Sequence, residues 1–294
     1  MPLKRNAGTW PLALLVLGLW CATDARAWEA PLPASADAPL VAVDKSRQRL
    51  VLAGPRAERE YVCSTGRKRG DKRVRGDLKT PEGVYFITGK RTSGLDFQDY
   101  GGVAYPLDYP NPVDRLRGKT GSGIWLHSRG RPIAPYESHG CVVVNLDDMS
   151  GLSHRLQNGM PVLLAERLRY GNDAAALEAA GRVEGRTRGW YEAWRGEGGT
   201  ESFYAASPQG KDLAARMRRE REKLLRGRKL IKAEAGPVRV LEGPGYWVSW
   251  FSERVLLDGG ALSGIRRLYW QEDGGGALRI VGTRWIAKDG EPAP

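Results

Sequence analysis

The pattern of apolar and polar positions changes character near residue 168. Before that point, short apolar runs recur between turn residues. Leu40 to Val43 is apolar, Gln48 to Leu52 alternates, and Asp44-Lys45-Ser46-Arg47 between them reads as a hairpin turn. Tyr61 to Cys63, Gly83 to Thr88, Val103 to Leu107, Gly123 to His127, Val142 to Val144 and Pro161 to Ala165 predict further strands, most of them bounded by Gly or Pro. Residues 39–168 therefore read as a mainly β domain with one short helix near His154.

Beyond residue 168 the period is helical. Leu177, Ala180, Val183, Trp190 and Trp194 mark a helix over Ala174 to Trp194, which Gly181, Gly185 and Gly189 can split in two. Lys211 to Arg226 is a second helix, with Leu213, Met217, Leu224 and Leu225 on one side. Strand-like runs follow at Val238 to Leu241, Tyr246 to Leu257, Ile265 to Glu272 and Leu278 to Ile286, joined by the Gly-rich turns DGGALSG and EDGGGA. Helices followed by an antiparallel sheet predict a separate α+β domain over residues 169–290. Six of the ten tryptophans lie here, where core packing of a small sheet is the first expectation and stacking on sugar rings the second. Trp247 and Trp250, an odd number of residues apart, fall on opposite faces of one strand.

The first residues change the setting. Lys4 and Arg5 precede the apolar run Pro11 to Ala22, and Ala25-Arg26-Ala27 is a small-x-small site. This is the layout of a secretory signal peptide over residues 1–27, cleaved after Ala27. The expected location of the mature chain is the periplasm or another exported compartment, with the Pro- and Ala-rich residues 28–38 as a linker or arm. Composition then acquires meaning. The 294 residues carry a net charge of +12, but export argues against nucleic acid as a partner. The excess sits in two places: Arg67 to Lys79 has seven basic and two acidic residues, and Lys211 to Lys232 has ten and three. A solvated helix face is the first expectation for the second cluster. Only three cysteines are present, too few for a disulfide scaffold, and Cys21 leaves with the signal peptide.

The densest chemistry lies in GIWLHSRGRPIAPYESHGCVVV. His127 ends a strand, and His139 and Cys141 follow a Pro-containing loop. A thiol becomes a good nucleophile when an imidazole removes its proton. Gly140 permits close approach of backbone, whose amides can hold an oxyanion. The competing readings are a buried cysteine packed as a small hydrophobe and a zinc site from His127, His139 and Cys141. Cys63, inside a strand, reads as packing, and His154 as surface or core.

Four separated features resemble the L,D-transpeptidase catalytic domain (YkuD-type) in that family's order: the STG strand end at Ser64-Thr65-Gly66, GDKRVRGDLKTPEGVY, a histidine ending a strand, and SHGC. The resemblance runs from about residue 38 to 167 and implies an L,D-transpeptidase-like β-sandwich. It implies Cys141 as nucleophile, His127 as base, and the Ser128 carbonyl as the group that orients the imidazole. Ser138, His139 and Gly140 would shape the oxyanion and substrate pocket. Many members have Gly where this chain has Ser128, and Arg or Asn where it has Val143, so Arg129, Arg131 and Asn145 are candidates for the substituted polar contact. The implied substrate is a peptidoglycan peptide stem, cut through a Cys141 thioester. An amine acceptor gives transpeptidation, and water gives an L,D-carboxypeptidase that trims tetrapeptides to tripeptides. No cofactor is required for thiol chemistry.

Residues 172–288 resemble nuclear transport factor 2-like (SnoaL-like) domains, which are cone-shaped, through element order and aromatic placement. The two together resemble cell-shape-determining peptidoglycan-trimming proteins. That implies a second domain with a glycan, peptide or protein ligand, or a role in homodimerisation. The alternative of another class is a cell-wall-binding protein without catalytic activity.

Overall fold

The computed structural model describes residues 27–32, 38–54, 59–171, 173–196 and 199–288. The expected signal peptide, Ala27 excepted, lies outside the described residues.

The first module is one eight-stranded sheet. In chain order its strands are β2 (Leu40–Asp44), β3 (Arg49–Ala53), β4 (Arg59–Ser64), β5 (Gly83–Phe86), β6 (Ala104–Pro106), β7 (Trp125–His127), β8 (Val142–Val144) and β9 (Pro161–Ala165). Their spatial order is β5-β9-β2-β3-β4-β8-β7-β6. The sheet curls, so that Val41, Val43, Leu50 and Leu52 from one half share a core with Leu126, Val142 and Val144 from the other. The expected mainly β architecture is present as a curled sheet closed over its own core.

The unbroken apolar runs LVAV and PVLLA have a physical cause. Alternation marks a strand with one wet face; a run without alternation marks a strand covered on both. Val41 and Val43 face the inner core, whereas Leu40 and Ala42 face the second module. That cover is a five-stranded antiparallel sheet: β11 (Leu230–Ala235), β12 (Arg239–Gly243), β13 (Tyr246–Leu257), β14 (Gly260–Glu272) and β15 (Leu278–Ala287). Its Leu241, Tyr246, Val248, Trp250 and Tyr269 pack against Leu40, Ala42, Val84, Phe86 and Leu163 of the first sheet. Two buried polar links cross the same interface. Asp108 pairs with Arg267 at 3.1 Å and Arg284 at 3.3 Å, and the Tyr246 hydroxyl accepts from Val84 N at 2.8 Å and Asn111 Nδ2 at 2.9 Å. Each module thus keeps a core of its own, and a third apolar cluster joins the two.

The other face of the second sheet carries helices α4 (Ala174–Arg195) and α5 (Pro208–Leu225). The three glycines do not split α4. Val183, Thr187, Trp190, Tyr191 and Trp194 are buried on its inner face, and a Cβ at Gly181 or Gly185 would meet nothing. Tertiary packing outweighs the roughly 1 kcal/mol per residue that an exposed glycine costs a helix. Trp250 faces the first module and Trp247 the helices, as their spacing requires. Trp190, Trp194 and Trp270 are core residues too.

The linker expectation for residues 28–38 is corrected in part. β1 (Glu29–Leu32) pairs in parallel with β10 (Arg167–Tyr170), with Ala30 and Leu32 buried in the cluster that joins the modules. Proline and alanine disguise this strand, because its partner follows more than 130 residues later in the chain, Glu29 being paired with Arg167. β11 was equally hidden: it is an edge strand in which Ala233 alone is buried, so it carries no apolar pattern.

Candidate active site

The site forms where three distant segments meet at the end of β7 and β8. These strands are parallel neighbours, with Leu126 opposite Val142 and His127 opposite Val143. Parallel register sets Cys141, just before β8, beside Trp125 and one strand across from the histidine. Val142, Val143 and Val144 are all buried, so the residue preceding them is held on a packed strand. Val143 offers the site no polar group.

The loop carrying Cys141 is clamped from both sides. Ser138 N donates to Thr65 O at 3.0 Å, and Arg67 N to Ser138 O at 2.9 Å. Thr80 Oγ1 accepts from Gly66 N and donates to Gly140 O, each at 2.9 Å. Two glycines make this approach possible. A Cβ at Gly66 would lie 2.4 Å from Leu78 O, and one at Gly140, whose φ is +132°, would lie 2.8 Å from Lys79 O. The STG, TPEG and SHGC segments, far apart in sequence, are thus one structural unit. Inside the loop, Ser138 Oγ donates to Cys141 O at 2.6 Å and accepts from Gly140 N at 3.1 Å. Ser138 therefore shapes the loop, and the Gly140 N–H is engaged within it.

His127 is buried, and its Nδ1 lies 2.7 Å from Ser128 O. A carbonyl can only accept, so Nδ1 carries the proton and Nε2 is left with its lone pair. Burial pushes the His127 pKa down to about 4; the hydrogen bond to Ser128 opposes this and the Arg129 charge adds to it. Burial also raises the Cys141 pKa, against the Trp125 backbone N–H bonded to its sulfur and the charges of Arg129 and Lys72. At neutral pH the pair rests as thiol and neutral imidazole, a nucleophile with an unprotonated base on the adjacent strand. The thiol meets Gly123 O at 3.5 Å. Cys63 differs: it is buried in β4 and its pKa is pushed up to about 12 by desolvation.

Ser128 has an evident structural accommodation. It is fully buried, and a Cβ at Gly101 would lie 2.1 Å from its Oγ. Gly101, with φ +59°, ends the short helix α1 (Phe97–Tyr100). Tyr100 from that helix lies over the site, its ring 5.0 Å from the imidazole and 5.3 Å from Trp125.

The other candidates separate into groups. Arg129 and Arg131 both bind Glu137 Oε1, at 2.8 and 2.5 Å, with Arg129 mostly buried and Arg131 half exposed. His139 is exposed. Asn145 follows β8 at its opposite end, where its Nδ2 meets Asp148 at 3.3 Å, so the structure does not bring it to Cys141. No group of three His, Cys, Asp or Glu residues that could hold a metal ion occurs among the described residues, so His127, His139 and Cys141 do not converge as ligands. His154 is the exposed C-cap of helix α3 (Leu146–Ser153). Sequence reasoning missed Tyr100, Thr80, Lys72 and Gly123. The stretch GDKRVRGDLKTPEGVY was a visible signal for Lys72 and Thr80; Tyr100 and Gly123 reach the site through tertiary structure alone.

Residues 38–164 match the family described as YkuD, the L,D-transpeptidase catalytic domain. The first module is such a domain. The whole two-module fold is similar to the structure of Bd1075 from Bdellovibrio bacteriovorus, at TM-score 0.66 and 23% identity, covering 88% of this chain and 99% of that one. It is also similar to the helical cell shape determining protein Pgp2 from Campylobacter jejuni, at TM-score 0.60 and 20% identity, covering 84% and 91%. No curated protein matches the sequence.

Proposed function

We propose that this protein is an exported enzyme of L,D-transpeptidase type that acts on peptidoglycan peptide stems through a thioester on Cys141. The observation that carries the reading is a thiol on the strand beside a buried, unprotonated imidazole whose Nδ1 is tied to Ser128 O. His127 Nε2 takes the Cys141 proton, and the sulfur attacks the carbonyl carbon of the L,D-peptide bond. The bond to the terminal D-amino acid breaks, its nitrogen receives the proton from His127, and the stem remains as a thioester. An incoming amine, deprotonated by the same imidazole, forms the new amide and regenerates the thiol.

A second reading differs only in the acceptor: water in place of the amine gives an L,D-carboxypeptidase. The fold likeness across both modules to a protein titled as helical cell shape determining supports a role in cell shape for either reaction. Purified protein incubated with tetrapeptide muropeptides, followed by mass spectrometry, separates the two. Linked or exchanged stems mean transpeptidation; tripeptide alone means trimming. Neither product, with a folded protein, leaves a wall-binding role.

A further inference from the structure

Tyr246, at the start of β13, is fully buried, and its oxygen accepts from Val84 N and Asn111 Nδ2. Asn111 is the N-cap of helix α2 (Pro112–Leu116). Its Oδ1 accepts from Asp114 N at 2.9 Å, and its own N donates to Asp114 Oδ2 at 3.1 Å. The other Asp114 oxygen lies 2.8 Å from Lys119 Nζ, which lies 2.8 Å from Asp71 as well. Lys119 is thus a buried cation between two carboxylates.

From Lys119 and Asp71, two segments run to the nucleophile. Residues 119–124 contain Gly123, whose carbonyl receives the Cys141 thiol. Residues 71–82 contain Thr80, the donor to Gly140 O. The segments are stitched to each other, with Thr120 N donating to Arg73 O at 2.9 Å and Arg75 N to Thr120 Oγ1 at 3.2 Å. A buried network fixes geometry only while each member keeps its partners. Without the Tyr246 hydroxyl, Asn111 Nδ2 keeps only Val84 O, at 3.2 Å.

We infer that Tyr246 of the second module is a positioning residue for Cys141, acting through Asn111, Asp114 and Lys119 on the two segments that hold the nucleophile. The inference rests on the reading of Cys141 as nucleophile. It gives the second sheet a part in the reaction without contact with substrate.

The test uses full-length Tyr246→Phe and Asn111→Ser. Serine retains a cap for α2 but not the reach to Tyr246. Arg284→Gln weakens the same interface at Asp108, off this chain of contacts. For each folded variant, kcat and KM on tetrapeptide muropeptides and the pH profile of Cys141 alkylation by iodoacetamide are measured below its Tm. The expected result is a kcat lower by about tenfold to a hundredfold in Tyr246→Phe and Asn111→Ser, with KM nearly unchanged and the alkylation profile displaced. Arg284→Gln lowers Tm and leaves kcat and the profile as in wild type. Should Tyr246→Phe not fold, Asn111→Ser carries the test. Wild-type kcat and profile in the folded variants, or an equal loss in Arg284→Gln, would overturn the inference. Absence of Cys141-dependent turnover in wild type would count against the proposed function instead, while the alkylation profiles still decide the positioning.

Discussion

The Nδ1 of His127 lies 2.7 Å from the carbonyl oxygen of Ser128, the next residue in the chain. That contact fixes the tautomer and leaves Nε2 free to accept a proton. Burial holds the ring neutral down to about pH 4, against 6.5 for an ordinary histidine.

This depression links folding to pH. Between pH 6.5 and about 4 the unfolded chain binds a proton at His127 that the folded chain does not. The contribution is fully present above pH 6.5 and is lost as pH falls toward 4, on the order of 3 kcal/mol in all. His127→Gln should flatten this part of the stability curve in urea titrations at pH 7 and pH 4.5. An unchanged slope would place the pH dependence on other groups.

Reactivity should separate the two cysteines. Cys141 is partly accessible and its thiol is raised by burial, so its alkylation by iodoacetamide should climb above the ordinary thiol range and not plateau near neutrality. Cys63, buried and pushed up to about 12, should react only after unfolding. Intact-mass spectra of the native protein should show one adduct, located on Cys141 by digestion. An adduct on Cys63 in the native protein would contradict the assignment.

Much of this was legible in the chain, for physical reasons. The strands β2, β3, β8, β9 and β13 announce themselves by apolar runs. The SHGC, STG and TPEG segments, read together, mark Cys141 and the loop contacts that hold it. What was hidden depends on partners distant in sequence. Glu29–Leu32 looks like a linker until Arg167–Tyr170 pairs with it. Asn145 looks close to Cys141 until the three residues of β8 carry it to the other end of the strand. The apolar cluster that joins the two modules has no signature in either half, other than the lack of alternation in strands such as β2 and β9.

That joining cluster gives the next expectation. Asp108 is buried and accepts from Phe86 N, Arg267 and Arg284. Asp108→Ala leaves the largely buried Arg267 guanidinium without its carboxylate, which should cost about 3–5 kcal/mol. Chemical denaturation should show one destabilised cooperative transition for both modules. A selective loss in one module would mean that the cores are independent.

The clamp on the Cys141 loop gives another. Gly66→Ala places a Cβ 2.4 Å from Leu78 O, and Gly140→Ala one 2.8 Å from Lys79 O. Each backbone must shift, at about 1–3 kcal/mol in stability. Turnover should fall far more than stability does, because Thr80 would lose its register with Gly140. Circular dichroism and turnover on the same samples check this; wild-type turnover in a folded Gly66→Ala would show that the clamp does not serve the site.

The central claim is a stem acyl group carried by Cys141 sulfur. Rapid acid quench of the enzyme with a tetrapeptide muropeptide, followed by peptide mass mapping, tests it most directly. The expected result is the Cys141 peptide heavier by the tripeptide acyl group, with the free terminal D-amino acid in solution, and neither in Cys141→Ala. Release of the terminal D-amino acid by a folded Cys141→Ala at the wild-type rate would contradict the account.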